Sequence, residues 1–362
     1  MIGTRSVRTV ALAISSIALL SACGSNNNSA TPSTSASVNC ATGTLKASGS
    51  TAQKNAMGDW INSYQGSCSG ATIDYSATGS AAGITDFTNN QTSFAGSDSA
   101  LKAAQLPAAN ARCAAGSAID IPMVAGAIAV TYNLPGVTTL VLDPATTAKI
   151  FANQITKWND PAIAALNPSA TLPAASIAQY HRSDGSGTTD NFSKWLAAAA
   201  PMAWTFGTGK VWTAPGGQGA KGSDGVASAV SSTPNSIGYM ELSFAKNANL
   251  TVAQIDNGGG AVTLTTDSAG KSLSAATVTG TGNDLSLKFD YATKAAGVYP
   301  IVLVTYEITC EKGLPADQLA LLKSFLTYTS SAAAQAGLSG KGYIPLPADL
   351  LTKVQASVAA LS

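Results

Sequence analysis

The chain has 362 residues, with 20 Lys and Arg against 19 Asp and Glu, one His, and a formal net charge of +1. Near-neutrality without a basic run argues against nucleic acid as a partner, and one histidine with no CxxC pair argues against a zinc or iron-sulfur centre. Charged residues make up only 11% of the chain, so charges gathered in one glycine-rich turn stand out.

At the N-terminus Arg5 and Arg8 precede the apolar run VALAISSIALL, which meets the small residues LSAC. The run is shorter than the ~20 apolar residues that a permanent span needs. It predicts a secretory signal over 1–22 with a lipobox, leaving Cys23 as a lipidated terminus tethered to a bacterial membrane. Residues 24–39, GSNNNSATPSTSASVN, offer little to a core and read as a flexible spacer. The folded part then begins near Cys40, and about 320 residues predict two domains at ~100–200 residues each. In an exported chain the four remaining cysteines, Cys40, Cys68, Cys113 and Cys310, predict two disulfides. Three connectivities are open. Cys40 with Cys68 and Cys113 with Cys310 is preferred, because Cys40 and Cys68 each precede an apparent strand.

TLKASGSTAQKN opens as a strand and turns at Gly49, after which Met57, Trp60, Ile61 and Tyr64 recur at helical spacing, placing Ser50 and Thr51 at the helix start. ATIDYSATGSAAGITDF alternates through Ile73 and Tyr75, then passes Gly79 and Ser80 into a helix carrying Ile84 and Phe87. SFAGSDSALKAA predicts a strand ending near Gly96 and a helix opening at Asp98 or Ser99, with Asp98 as a plain N-cap in the simplest case. ASIAQYHR runs into HRSDGSGTTDNF, and Phe192, Trp195, Leu196 and Ala199 form one helical face behind Ser186, Gly187 and Thr188. Four strand-turn-helix units of this kind predict an α/β protein with ligand groups at the carboxyl ends of its strands. Unpaired N–H groups and the dipole at helix starts suit them to anions.

The planar fork of Arg182 matches two oxygens of a tetrahedral oxyanion, and Asp184 can hold that fork in place. Asp98 is repulsive to an anion unless the anion brings a proton. Phosphate near neutral pH carries one and sulfate does not, so a buried Asp98 would discriminate between them. A Ser-His-Asp hydrolase would need His181, which lies on the same local stretch as Ser186, and no G-x-S-x-G surrounds that serine. GGQGAKGS and GLSGKGY lack the Ser or Thr after lysine that a P-loop needs.

ASGST, GSAAG, AGSDSAL, HRSDGSGTTDNF, KGSDGVASAV and NSIGYMELSFAK occur in this order, with ITKWNDPAIAALNP among them. Over nearly the whole mature chain the sequence resembles the phosphate-binding protein of the high-affinity phosphate ABC importer. The resemblance implies a two-lobed periplasmic-binding-protein fold of type II, with two crossover strands between lobes. By analogy one lobe would span 40–130 and 305–362 and the other 131–304. It implies ligand contacts from Thr51, the Ala52 amide, Ser80, Asp98, Arg182, Ser186, Gly187 and Thr188, with Asp184 positioning Arg182. It further implies a monomer without cofactor or metal that delivers inorganic phosphate to a membrane permease. Ala52 stands where the family often has an aromatic residue, STAQKN lacks a common proline, and GSAAG replaces a Ser-Gly-Gly run. The alternatives are a binder of another oxyanion such as sulfate or molybdate, or a secreted phosphate-ester hydrolase.

Overall fold

The computed structural model describes residues 39–362; the expected signal segment, Cys23 and most of the spacer lie outside the described residues. The chain first alternates strand and helix through β1 (Gly43–Gly49), α1 (Lys54–Ser67), β2 (Ala71–Ser76), α2 (Ser80–Thr88), β3 (Phe94–Ser97) and α3 (Leu106–Arg112). It then enters the long strand β4 (Ala118–Asn133). The middle of the chain supplies β5 (Val141–Leu142), α4 (Pro144–Phe151), α5 (Pro161–Leu166), β6 (Ala178–Arg182), α6 (Gly187–Ala199), β7 (Gln218–Ala220), α7 (Gly222–Ser232), β8 (Ser236–Glu241) and α8 (Leu242–Asn247). Short pieces follow: β9 (Thr251–Val252), β10 (Gln254–Asp256), β11 (Ala261–Val262), α9 (Thr266–Ser274), β12 (Thr277–Val278) and β13 (Leu287–Lys288). The chain returns through β14 (Val302–Cys310), α10 (Ala316–Thr329), α11 (Ala332–Ala336), β15 (Tyr343–Ile344) and α12 (Ala348–Ala360).

Ten strands form one curled sheet in the order β2-β1-β3-β14-β4-β8-β6-β7, with β15 and β9 also paired to β4. Its spine is β4, whose sequence AIDIPMVAGAIAVTYN is buried from Ala118 to Tyr132, as expected of a strand covered on both faces. Ala118–Ala127 pairs antiparallel with β14, whereas Ile128–Asn133 pairs antiparallel with β8. One strand thus belongs to two half-sheets. β4 and the segment entering β14 meet where the partner changes: the Ile128 N–H donates to the Ile301 carbonyl at 2.8 Å, and the Tyr299 hydroxyl to the Ile128 carbonyl at 2.8 Å. A register shift at Thr305/Tyr306 bulges β14 against β4. Bulges re-aim side chains, and Thr305 beside this one reaches Asp98.

Three of the four strand-turn-helix units form as expected. The third does not: after β3 no helix opens at Asp98 or Ser99, and α3 starts only at Leu106. The reason is competition for the groups that would cap it. Asp98 is engaged by hydroxyls from distant segments, Ser99 Oγ donates to Asp190 at 2.6 Å, and the Leu101 N–H donates to Asp120. Both preferred disulfides are present, Cys40–Cys68 and Cys113–Cys310, and the latter ties the chain after α3 to the end of β14.

The turn quoted above is anchored from behind. Phe192, Trp195 and Leu196 on α6 are wholly buried, contributing about 1.5–3 kcal/mol per large side chain relative to exposure. Phe192 stacks on Tyr239 of β8 at 4.2 Å between ring centroids. Ser186 caps the helix, its Oγ accepting the Thr189 N–H at 3.2 Å. This packing fixes the direction in which the N-terminus of α6 points.

Candidate functional site

The carboxyl ends of β1, β3 and β6 and the starts of α2, α6 and α7 converge where the two half-sheets face one another. At the centre is Asp98, 2% exposed. Its Oδ1 accepts from Ser50 Oγ and from Thr305 Oγ1 at 2.9 Å, and its Oδ2 from Thr188 Oγ1 at 3.3 Å and Ser80 Oγ at 3.5 Å. Burial pushes the Asp98 carboxyl up from its ordinary range, and the Ser50 and Thr305 hydroxyls, the Arg182 charge and Thr188 offset part of that rise.

Arg182 ends β6 and is buried. Asp184 binds it with both oxygens, Oδ1 accepting from Nε at 2.7 Å and Oδ2 from Nη2. The guanidinium is thereby held by one edge, which leaves the Nη1 side of the fork to a ligand. Asp184 also accepts the Gly222 N–H at 3.0 Å, so the start of α7 is fixed to the same pair. Although burial raises the Asp184 carboxyl, Arg182 and that backbone bond hold it below its usual range.

The remaining expected residues come together around this pair of acid and base. Ser80 Oγ accepts the N–H groups of Gly187 at 3.1 Å and Asp98 at 3.2 Å, which ties α2 to α6. The Ala81 N–H donates to the Gly185 carbonyl at 2.9 Å beside it. The Ala52 N–H is turned to Ser50 Oγ at 3.0 Å. Thr51 Oγ1 lies 2.9 Å from Ser223 Oγ and accepts the Ser223 N–H at 3.2 Å. His181 stays on the strand as expected, its ring stacked on Trp212 at 4.9 Å and its Nδ1 3.0 Å from the Arg182 carbonyl.

Three neighbours escaped the sequence reading, Gly222, Ser223 and Thr305, while Ser50 was placed at its helix start without a role toward Asp98. KGSDGVASAV carried a signal for Ser223, since it repeats the glycine-serine helix start seen at Ser186. Thr305 carried none, being one β-branched residue within an apolar strand.

The facing surfaces meet without slack at Gly187, where a Cβ would fall 2.6 Å from Asp98 Cβ and 2.7 Å from Ser80 Oγ. Gly187→Ala is expected to wedge α6 away from β3 and α2 and to weaken anion binding by about 1–3 kcal/mol, roughly 5- to 150-fold. Titration alongside small-angle scattering checks this, with a larger radius of gyration expected in saturating anion.

Glu307 of β14 lies behind the site with neither carboxylate oxygen hydrogen-bonded, and Gln53 Oε1 also has no partner. Burial above all, reinforced by the Asp98 charge, pushes this carboxyl from 4.5 up to about 8. Between those values the folded protein holds a proton that the unfolded chain releases. The stabilisation is therefore complete below 4.5 and is lost as pH rises through about 8. Glu307→Gln is expected to exceed the parent in stability by roughly 2 kcal/mol at about pH 9 and to lose that advantage at about pH 5. Urea melts at both pH values decide it.

Residues 34–333 match the PBP superfamily domain. The chain is 47% identical over 354 residues to a phosphate-binding protein, PstS 3, of Mycobacterium tuberculosis, covering 95% of each chain. It is 45% identical over 355 residues to the protein of the same name from Mycobacterium leprae, covering 95% of this chain and 96% of the relative. Among solved structures, a high-affinity periplasmic phosphate-binding protein bound with phosphate superposes with a TM-score of 0.70 at 22% identity, over 87% of this chain and 93% of that one. A phosphate-binding protein from Stenotrophomonas maltophilia gives 0.66 at 20% identity, over 87% and 93%. At such identities these two structures establish the two-lobed fold.

Proposed function

Since the chain belongs to the PstS-type phosphate-binding proteins of the PBP superfamily, we propose that it captures inorganic phosphate between its two half-sheets and delivers it to the permease of a phosphate ABC importer. The observation that carries this reading is a buried arginine braced on one edge by Asp184, facing a buried aspartate ringed by hydroxyls. A cation with donors left over and one acceptor suits a tetrahedral anion that still holds a proton. Ser80, Thr188 and the amide of Gly187 would turn to the anion from Asp98 and from each other. Ser186, Thr51 and the Ala52 amide would complete the shell.

We assign residues 40–130 and 305–362 to one lobe and 131–304 to the other, so that closure bends the chain near Ile128 and Ile301. The ligand stabilises the closed form by touching both lobes at once. The protein acts as a binder without turnover: Ser186 Oγ serves as a helix cap, and the one imidazole is stacked on Trp212. Outside the described residues, Cys23 is assigned to a lipid anchor at the extracytoplasmic face of the membrane, and the protein to a monomer.

Calorimetric titration with phosphate and with sulfate at neutral pH is the direct test. Strong preference for phosphate is expected; equal affinities would remove the role given to Asp98. Steady hydrolysis of a phosphate monoester that is lost in Ser186→Ala would overturn the binding reading altogether.

A further inference from the structure

Beside the pocket sits a buried ammonium. Lys210 is 9% exposed, and its Nζ has no hydrogen-bond partner among the described residues. Its backbone is pinned above the start of α6, where its carbonyl accepts the Ser186 N–H at 2.8 Å. Its charged neighbours are Asp190, Lys102, Lys194 and Asp98. Both Asp190 oxygens are already engaged by others: Oδ1 takes Lys102 Nζ at 3.2 Å, and Oδ2 takes Lys194 Nζ at 2.6 Å and Ser99 Oγ at 2.6 Å. Three ammonium groups thus share one carboxylate. A dry ammonium lacking an anion is strongly unfavourable, and it either sheds its proton or recruits an anion.

A cavity of about 510 Å³ adjoins this cluster, with Lys102, Lys194, Thr208 and Phe289 among its walls and Asp98 on its inner side. We propose that this cavity is a second anion site, in which Lys102, Lys194 and Lys210 hold a phosphoryl dianion in front of the inner pocket. The choice of phosphoryl chemistry rests on the phosphate reading of that pocket. The net charge of the cluster rests on no such reading: Lys102, Lys194 and Lys210 against Asp190 and Asp98 leave one positive charge in excess, and Lys288 also lines the cavity. The dianion has two sources: free phosphate queued behind the bound one, or the head of a phosphate ester whose organic part lies on Phe289. The volume far exceeds that of one tetrahedral ion, so both fit. Burial lowers the Lys210 ammonium below its ordinary range, while Asp190 opposes that shift. An arriving dianion favours its protonated form.

Two dianions this close repel one another, so the outer site fills after the inner one and with a dissociation constant on the order of millimolar. The test titrates the full-length protein, already saturated with one equivalent of phosphate, with inorganic phosphate or glycerol phosphate at low and high salt. A second, salt-sensitive step is expected with phosphate, with the ester, or with both. Tighter binding of the ester assigns the site to esters; equal or weaker binding assigns it to free phosphate. The step should weaken at least about tenfold in Lys210→Met and in Lys194→Gln through loss of charge-assisted contacts. Lys194→Gln keeps the test decisive if Lys210→Met does not fold. No second step with either anion, or one unchanged in the folded variants, overturns the proposal. Failure of the inner-pocket reading shows itself separately, as absence of the tight first step.

Discussion

Arg182→Ala is expected to weaken phosphate binding by about 2 to 5 kcal/mol, roughly 30- to 5,000-fold, the usual cost of removing one partner from a buried charge-assisted contact. Little of this loss should appear as unfolding. Asp184 keeps the Gly222 N–H as a donor, and β6 keeps its pairing with β7 and β8. Arg182→Lys should recover only part of the affinity, since a point charge cannot bond Asp184 along one edge and an anion along the other. Equilibrium titration with far-ultraviolet circular dichroism as the fold control decides the matter. Affinity within a fewfold of the parent would show that the anion binds away from this turn.

Asp98→Asn should act on selectivity more than on bulk affinity. The amide retains one acceptor oxygen, yet it loses the negative charge and turns an NH2 group toward hydroxyls that now donate to Oδ1 or Oδ2. A phosphate that gives its proton to Asp98 should bind roughly 10- to 150-fold more weakly, about 1.5–3 kcal/mol for a hydrogen bond to a charged group. Sulfate, which has no proton to give, should bind more tightly once the repelling charge is gone. Competition between the two ions at neutral pH measures both changes. An unaltered phosphate-to-sulfate ratio would mean that Asp98 is a structural acceptor for Ser50 and Thr305 and nothing more.

The β6-α6 turn was legible in the sequence because local rules govern it. A strand, a hydroxyl at the cap, a glycine after it and an apolar helical face lie within twenty residues, and Arg182 and Asp184 bond each other across a single intervening residue. The same logic failed at Asp98. Its neighbourhood also looks like a helix start, but its partners, Ser50, Thr188 and Thr305, arrive from three other segments that no local pattern reveals. The recurring strand-turn-helix units carried the α/β class, whereas the place where β4 changes partner at Ile128 depends on two strands more than a hundred residues further on. Lys210 was invisible for a related reason: its isolation comes from Asp190 being occupied by Lys102 and Lys194.

The strand order has a bearing on biosynthesis. Because β14 is inserted between β3 and β4, the edges of those two strands that face it stay open until residues beyond 300 have emerged. Such late, non-local closure delays folding. Slow closure of this kind suits a polypeptide that crosses a membrane before it folds. Beyond that membrane an oxidising compartment can lock Cys113 to Cys310, the residue that ends the late-arriving strand.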